Sequence, residues 1–267
     1  MRSSLIGGGS SEPASLKLID IASYLGMTTG LILCLDAGDA ASYGGSGHTW
    51  TDVSGSGNDF LKTATQVTFT GTAGALGSGC YFSNIDETHY IYNFTSSAFD
   101  GFHKSGGKCT IMEIVRHQQV TPDQPYWYNG IDGDARGDDG VHLWVDGSDQ
   151  VNLVYDANNS LNNAITYDPG TTAMSDNTDH MIGVGVDDAA LTVKVFRDSS
   201  IYSTTKTAST NTRTPNSGVL IGTDSELQKG FDLTTRVYGI MVWNRLLGDA
   251  EWTSLYEQVK RRFTSLP

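Results

Sequence analysis

Leu191-Thr-Val-Lys-Val-Phe-Arg-Asp-Ser-Ser-Ile201 sets apolar side chains at Leu191, Val193 and Val195, then breaks at Phe196-Arg-Asp-Ser-Ser-Ile201. A period of two is that of a strand with one buried face, and Asp and Ser are turn formers whose side chains bond nearby backbone. The stretch reads as a β-hairpin, which pairs its strands antiparallel. Val145-Asp-Gly-Ser-Asp-Gln150 reads the same way between the runs Val141 to Val145 and Val151 to Tyr155. Outward from these, Leu31 to Leu35, Cys109 to Val115, Met181 to Val186 and Val237 to Trp243 are short β-branched or aromatic runs punctuated by Asp, Gly, Asn and Ser. The pattern predicts an all-β chain of antiparallel sheets.

Only the C-terminus reads as helix. Trp252, Leu255, Tyr256, Val259 and Phe263 fall on one face, Asp249 lies near its start, and Lys260, Arg261 and Arg262 lie near its end, as the helix dipole favours. Ahead of Gly30, the stretch Gly7 to Ser11 with Pro13 is followed by Leu16, Leu18, Ile19, Ile21 and Leu25, the spacing of a short amphipathic helix or apolar strip. We read residues 1–29 as an arm that anchors the protein to a partner, and 30–267 as one domain.

Apolar residues make up 38% of the 267, with 5 Trp, 12 Tyr and 9 Phe, enough to fill a core without staples. Acidic residues outnumber basic ones by 30 to 17, and the net charge of -13 repels phosphate backbones, which argues against nucleic acid as a ligand. Cys34, Cys80 and Cys109 form an odd, widely spaced set that reads as buried free thiols. The first residues lack the apolar core of a secretory signal, and no run reaches the length of a membrane span, so the expectation is synthesis in a host cytoplasm without export or membrane insertion.

Four segments carry a resemblance: Leu31-Ile-Leu-Cys-Leu-Asp-Ala-Gly-Asp-Ala40, Trp50-Thr-Asp-Val-Ser-Gly-Ser-Gly-Asn-Asp59, Cys80-Tyr-Phe-Ser-Asn-Ile-Asp-Glu-Thr-His-Tyr90 and Arg236-Val-Tyr-Gly-Ile-Met-Val-Trp-Asn-Arg-Leu-Leu-Gly-Asp-Ala-Glu251. Their order resembles the laminin-G-like members of the concanavalin A-like lectin and glucanase superfamily, as found in tailed-bacteriophage structural proteins. The resemblance implies a two-sheet antiparallel jelly-roll sandwich with an N-terminal arm and a short C-terminal helix. Trp50 and Trp243 read as wedges between the sheets, and Ser54 to Asn58 as a turn where Gly and Asn tolerate positive φ.

Enzymes of that superfamily carry a glutamate pair on one strand, alternating around an aspartate, as retaining glycoside hydrolysis requires. No glutamate here has an acidic residue two positions on, and the six histidines are far apart in sequence, so the expectation is a chain without catalytic activity. Asp132-Gly-Asp-Ala-Arg-Gly-Asp-Asp139 offers Asp132, Asp134 and Asp138 as oxygen ligands for calcium, and the sequence points to no other cofactor. Arg136 and Leu143 break the EF-hand template, and the loop reads as a solvated turn ahead of a metal site. Tyr126, Trp127 and Tyr128 read either as strand core or as rings that stack on a sugar.

The acidic unexported chain, its arm and the resemblance together predict a non-enzymatic virion structural protein of a tailed bacteriophage, in capsid decoration or tail and fibre. It would be a homo-oligomer in the assembly, with Leu16, Leu18, Ile19, Ile21 and Leu25 against capsid or tail subunits. The alternative is a free carbohydrate-binding module that recognises surface glycans, with calcium as an aid.

Overall fold

The hairpin around Asp198 closes as its residues predict. Phe196 pairs with Ile201 and Arg197 with Ser200, leaving Asp198, at φ 52°, and Ser199 as the turn. Asp198 accepts the Met181 N–H at 3.0 Å, which ties the turn to the neighbouring strand. Leu191 departs from the alternation: it sits in the preceding turn at φ 53° and is exposed.

The computed structural model describes residues 16–63, 66–86, 88–118, 124–130, 140–155, 165–168, 170, 173–215, 218–224, 230–231 and 234–267. In chain order its elements begin with α1 (Leu18–Tyr24), β1 (Leu31–Asp36), β2 (Thr49–Trp50), β3 (Phe60–Lys62), β4 (Thr68–Thr70), β5 (Tyr81–Ser83), β6 (Ile91–Asn93), β7 (Lys108–His117) and β8 (Gln124–Asn129). They continue with β9 (Val141–Val145), β10 (Val151–Tyr155), β11 (Ile165–Tyr167), β12 (Thr178–Asp187), β13 (Thr192–Arg197), β14 (Ser200–Thr205), β15 (Val219–Ile221), β16 (Arg236–Trp243) and α2 (Asp249–Arg262).

Two antiparallel sheets form a jelly-roll sandwich. The first runs β14-β13-β12-β7-β16-β5-β4, with β1 also paired to β16, and the second runs β11-β10-β9-β8-β15-β6-β3-β2. Alternate residues of each strand face the partner sheet. Ile111 and Val115 of β7, Val184 of β12, Ile240 of β16, Trp50, Phe60, Trp127 and Leu153 meet in that interior. The opposite face of the first sheet is covered by both helices, through Leu18, Ile21, Met112, Met181, Trp243, Trp252 and Leu255. Helices, first sheet and second sheet are therefore three layers.

Two glycines let the helices sit this close. A Cβ on Gly239 would lie 2.5 Å from Leu18 Cδ1, and one on Gly183 would lie 2.5 Å from the Ile111 carbonyl and 3.1 Å from the Trp252 ring. Trp252 stacks on Phe196 at 4.2 Å and donates its indole N–H to the Asp198 carbonyl at 2.8 Å. Glu251 accepts the Gly248 N–H at 2.8 Å, which caps α2.

The loop that follows Trp50 is the predicted turn. Asp52 accepts the N–H groups of Cys34, Ser54 and Asn58 at 2.9, 2.8 and 3.0 Å, and Gly55 and Gly57 take φ of 90° and 75°. Trp50 wedges between the sheets, but Trp243 faces the helices, because β16 alternates and its odd position there points outward; its indole N–H reaches the Met27 carbonyl at 2.8 Å. All three cysteines are free and buried.

The arm reading is corrected for the residues the structure describes. Leu18 and Ile21 are fully buried against their own domain, and Ile19 and Leu25 pack half-buried beside them, while Leu16 is half-buried. The reason is that the outer face of the first sheet is itself apolar and must be covered. Asp36 completes the junction: it accepts the Leu18 N–H at 3.0 Å and both ends of the Arg262 guanidinium, at 2.7 and 2.6 Å. The stretch Gly7 to Ser11 lies outside the described residues.

Candidate functional site

The outer face of the second sheet is closed at Tyr128, His142 and Asn152, which are buried, and opens toward β3 and β6, where Leu61 and Phe94 are exposed. Residues paired in register share a face, and Leu61 pairs with Tyr92, Tyr92 with Leu220 and Leu220 with Tyr128. Ile91 and Val219 point into the core, so this row points out. Its solvent end is aromatic. Tyr92 stacks on Phe94 with ring centroids 4.4 Å apart and planes 28° apart, and Tyr90 meets Tyr92 edge-on at 5.7 Å. Phe94 is 52% exposed and Leu61 40%, and both tyrosines are half-buried.

The backbone beneath these rings is held firmly. Asn93 turns inward, donates to the Asp59 carbonyl at 2.8 Å and accepts the N–H groups of Thr95 and Ser96 at 3.0 and 2.9 Å. The Tyr90 N–H donates to Thr63 Oγ1 at 3.0 Å. A fixed row of partly exposed rings, each with an apolar face and two with a hydroxyl, can stack on the C–H face of a ring-shaped polar ligand.

Tyr126, Trp127 and Tyr128 are not available for that task. A bulge between Pro125 and Trp127 turns both Tyr126 and Trp127 into the core, where Tyr126 packs on Phe231 at 4.5 Å and Trp127 on Phe99 at 5.3 Å. Tyr128 faces outward yet is only 4% exposed, stacked on His142 at 4.2 Å. Burial pushes the His142 pKa down to about 3, so that ring is neutral. Of the two sequence readings of this triplet, strand core holds. Asp132, Asp134 and Asp138 lie outside the described residues.

A second cluster lies where the two sheets meet near the end of β7. His117, Asp149 and Asp176 bring one ligand atom each within 4.8 Å of the others. The His117 Nε2–H donates to Asp149 Oδ1 at 2.8 Å, and its Nδ1 accepts the Tyr126 O–H at 2.7 Å. The distance suits an ion pair, but burial lowers the His117 pKa against the opposing pull of Asp149, so the contact is a neutral N–H on a carboxylate. Two inner-facing positions deeper on β7, Glu113 is fully buried, and neither carboxylate oxygen has a hydrogen-bond partner.

Burial pushes the Glu113 carboxyl well above the ordinary 4.5. A carboxyl raised in the folded state contributes stability that is complete below the unfolded-state pKa and lost as pH rises toward the folded-state value, at up to about 1.4 kcal/mol per pH unit. Glu113→Gln is therefore expected to flatten the fall in stability above pH 4.5 and to leave the protein more stable than wild type at neutral pH. Urea denaturation at a series of pH values checks this; parallel curves for the two proteins would show that Glu113 does not titrate differently on folding.

No protein-family model matches this chain, and no curated protein matches it. Among solved structures it is similar to a Trypanosoma rangeli sialidase mutant displaying trans-sialidase activity, at 13% identity and TM-score 0.58, over 91% of this chain and 38% of that one. It is also similar to the Trypanosoma rangeli sialidase in complex with sialic acid, at 16% identity and TM-score 0.57, over 87% and 33%. The binding domain of botulinum neurotoxin DC in complex with SialylT matches at 8% identity and TM-score 0.57, over 87% and 52%. The chain thus spans from 33% to 52% of the length of these proteins, and at such identities the likeness is one of fold.

One expectation is overturned here. The sequence was read as that of a chain without catalytic activity, yet sialidases, which are enzymes, are among the structures that share its fold. A missing glutamate pair excludes one catalytic design and not catalysis. Among the described residues no helix is long and apolar enough to cross a membrane.

The residues that the sequence reading missed are Tyr90, Tyr92 and Phe94. Their signal was present: aromatics at every second position put all three rings on one face of a strand.

Proposed function

We propose that this protein is a carbohydrate-binding β-sandwich whose binding surface is the outer face of the second sheet, centred on Tyr92 and Phe94. The observation that carries the reading is the row of partly exposed rings at the β3–β6 end of that sheet face. Solved structures of this fold whose titles name sialic acid or a SialylT complex lend it support. The net charge of -13 opposes acidic sugars, so neutral saccharides are the favoured ligands. The reading as a bacteriophage virion protein loses its anchor, since Leu18 and Ile21 are occupied within their own chain, and no other observation favours it.

Glycan-array binding followed by titration calorimetry tests the proposal. A neutral oligosaccharide is expected to bind, and Tyr92→Ala and Phe94→Ala are each expected to weaken it about tenfold, since a ring contact is worth roughly 1–1.5 kcal/mol. Phe94→Ala should leave the melting temperature nearly unchanged, because the ring is more exposed than buried. Retention of full affinity in both variants, or no glycan bound on the array, overturns the assignment.

A further inference from the structure

His117 ends β7, Asp149 lies in the turn between β9 and β10 at φ 59°, and Asp176 lies just ahead of β12. Backbone hydrogen bonds clamp these segments together: Asn177 N–H to the His117 carbonyl and Met174 N–H to the Asp149 carbonyl, both at 2.8 Å. A further group points to a ligand. His180 is 3% exposed, donates its Nδ1–H to Asp198 at 2.9 Å, and has an Nε2 with no partner. In the β7–β12 pairing His117 faces Thr178 and Val115 faces His180, so the two imidazoles are diagonal neighbours on one inner face, close enough to influence each other electrostatically.

We propose that His117, Asp149 and Asp176 bind a divalent transition-metal ion, and that the bare Nε2 of His180, which lies outside that close group on the same inner face, moves in as the additional nitrogen ligand. Two imidazole nitrogens and two carboxylates suit zinc, manganese or cobalt, whereas calcium takes six to eight oxygens. Zinc holds imidazole nitrogen and carboxylate oxygen at about 2.0–2.2 Å each, which sets two adjacent ligands about 3 Å apart. His117 Nε2 and Asp149 Oδ1 already lie 2.8 Å apart. The outer nitrogen of each ring is held as metal-bound histidines require, His117 by Tyr126 and His180 by Asp198. On metal binding His117 exchanges tautomers: Nε2 gives up its proton to coordinate, and Nδ1 gains one and donates it to the Tyr126 oxygen, with no net proton released.

The test uses the full chain stripped with chelator and titrated calorimetrically with zinc, manganese, cobalt or calcium chloride, beside thermal melting. One transition-metal ion per chain is expected, with the melting temperature raised by about 5–10 °C at a hundredfold excess over Kd. Asp176→Asn, at an exposed position that folding tolerates, is expected to weaken binding at least tenfold. The triple change Asp132→Asn, Asp134→Asn and Asp138→Asn should leave it intact. No binding at millimolar metal, a preference for calcium, unchanged affinity in Asp176→Asn, or loss of binding in the triple variant each overturns the proposal.

Discussion

Replacing Leu18 and Ile21 together with alanine is expected to lower the stability of the folded chain by at least about 4 kcal/mol, because each is a fully buried aliphatic side chain whose truncation costs about 2–5 kcal/mol. The two lie one turn apart on α1, so their effects couple, and the lower bound is the safer figure. The cavity would open between α1 and β16, where Gly239 has no side chain with which to fill it. Thermal melting and urea titration read the change directly. If the doubly substituted protein melts with wild type, α1 is not part of the core, and the reading of these residues as a partner-binding arm returns.

Arg262→Met should cost about 3–5 kcal/mol, which in a chain of this size lowers the melting temperature by on the order of 10 °C. Asp36 and Arg262 are both buried and joined by two hydrogen bonds, and removing the guanidinium strands a carboxylate at 0% exposure with only the N–H groups of Leu18 and Gly38 as described donors. The pair also links α1, β1 and α2, since Arg262 donates to the Leu16 carbonyl as well, at 3.2 Å. Combining Arg262→Met with Asp36→Asn should recover part of the loss, because the stranded charge is then gone. A single substitution that costs less than about 1 kcal/mol would mean that water reaches Asp36 and that the junction is not dry.

Both results bear on function by way of geometry. With α1 and α2 covering the first sheet, the partly exposed rings of Tyr92 and Phe94 stand on the outer face of the second sheet, at its β3–β6 end. Loosening the helical layer would expose a competing apolar face and blur that asymmetry.

The hairpins at Asp146 and Asp198, the turn around Asp52 and the closing helix from Asp249 were all legible in the sequence. Each depends on residues within about ten positions of one another, and turn chemistry and alternation act over just that range. The three-residue strands β3 and β15 escaped notice because so short a run cannot display a period, whereas β6 carried one in the alternation of Tyr90, Tyr92 and Phe94 that went unread.

By itself, then, the sequence determined the local structure: which runs extend, where they reverse, and that their apolar faces require a sandwich. Which face each side chain ends on was decided by tertiary structure. A one-residue bulge carries both Tyr126 and Trp127 inward, and the register of β16 hands Trp243 to the helices and not to the other sheet. The convergence of His117, Asp149 and Asp176 was likewise invisible, since strand pairing and turn packing brought these residues together from separate parts of the chain. Alternation reports that neighbouring residues face opposite sides, and only packing of one sheet on another decides which side is dry.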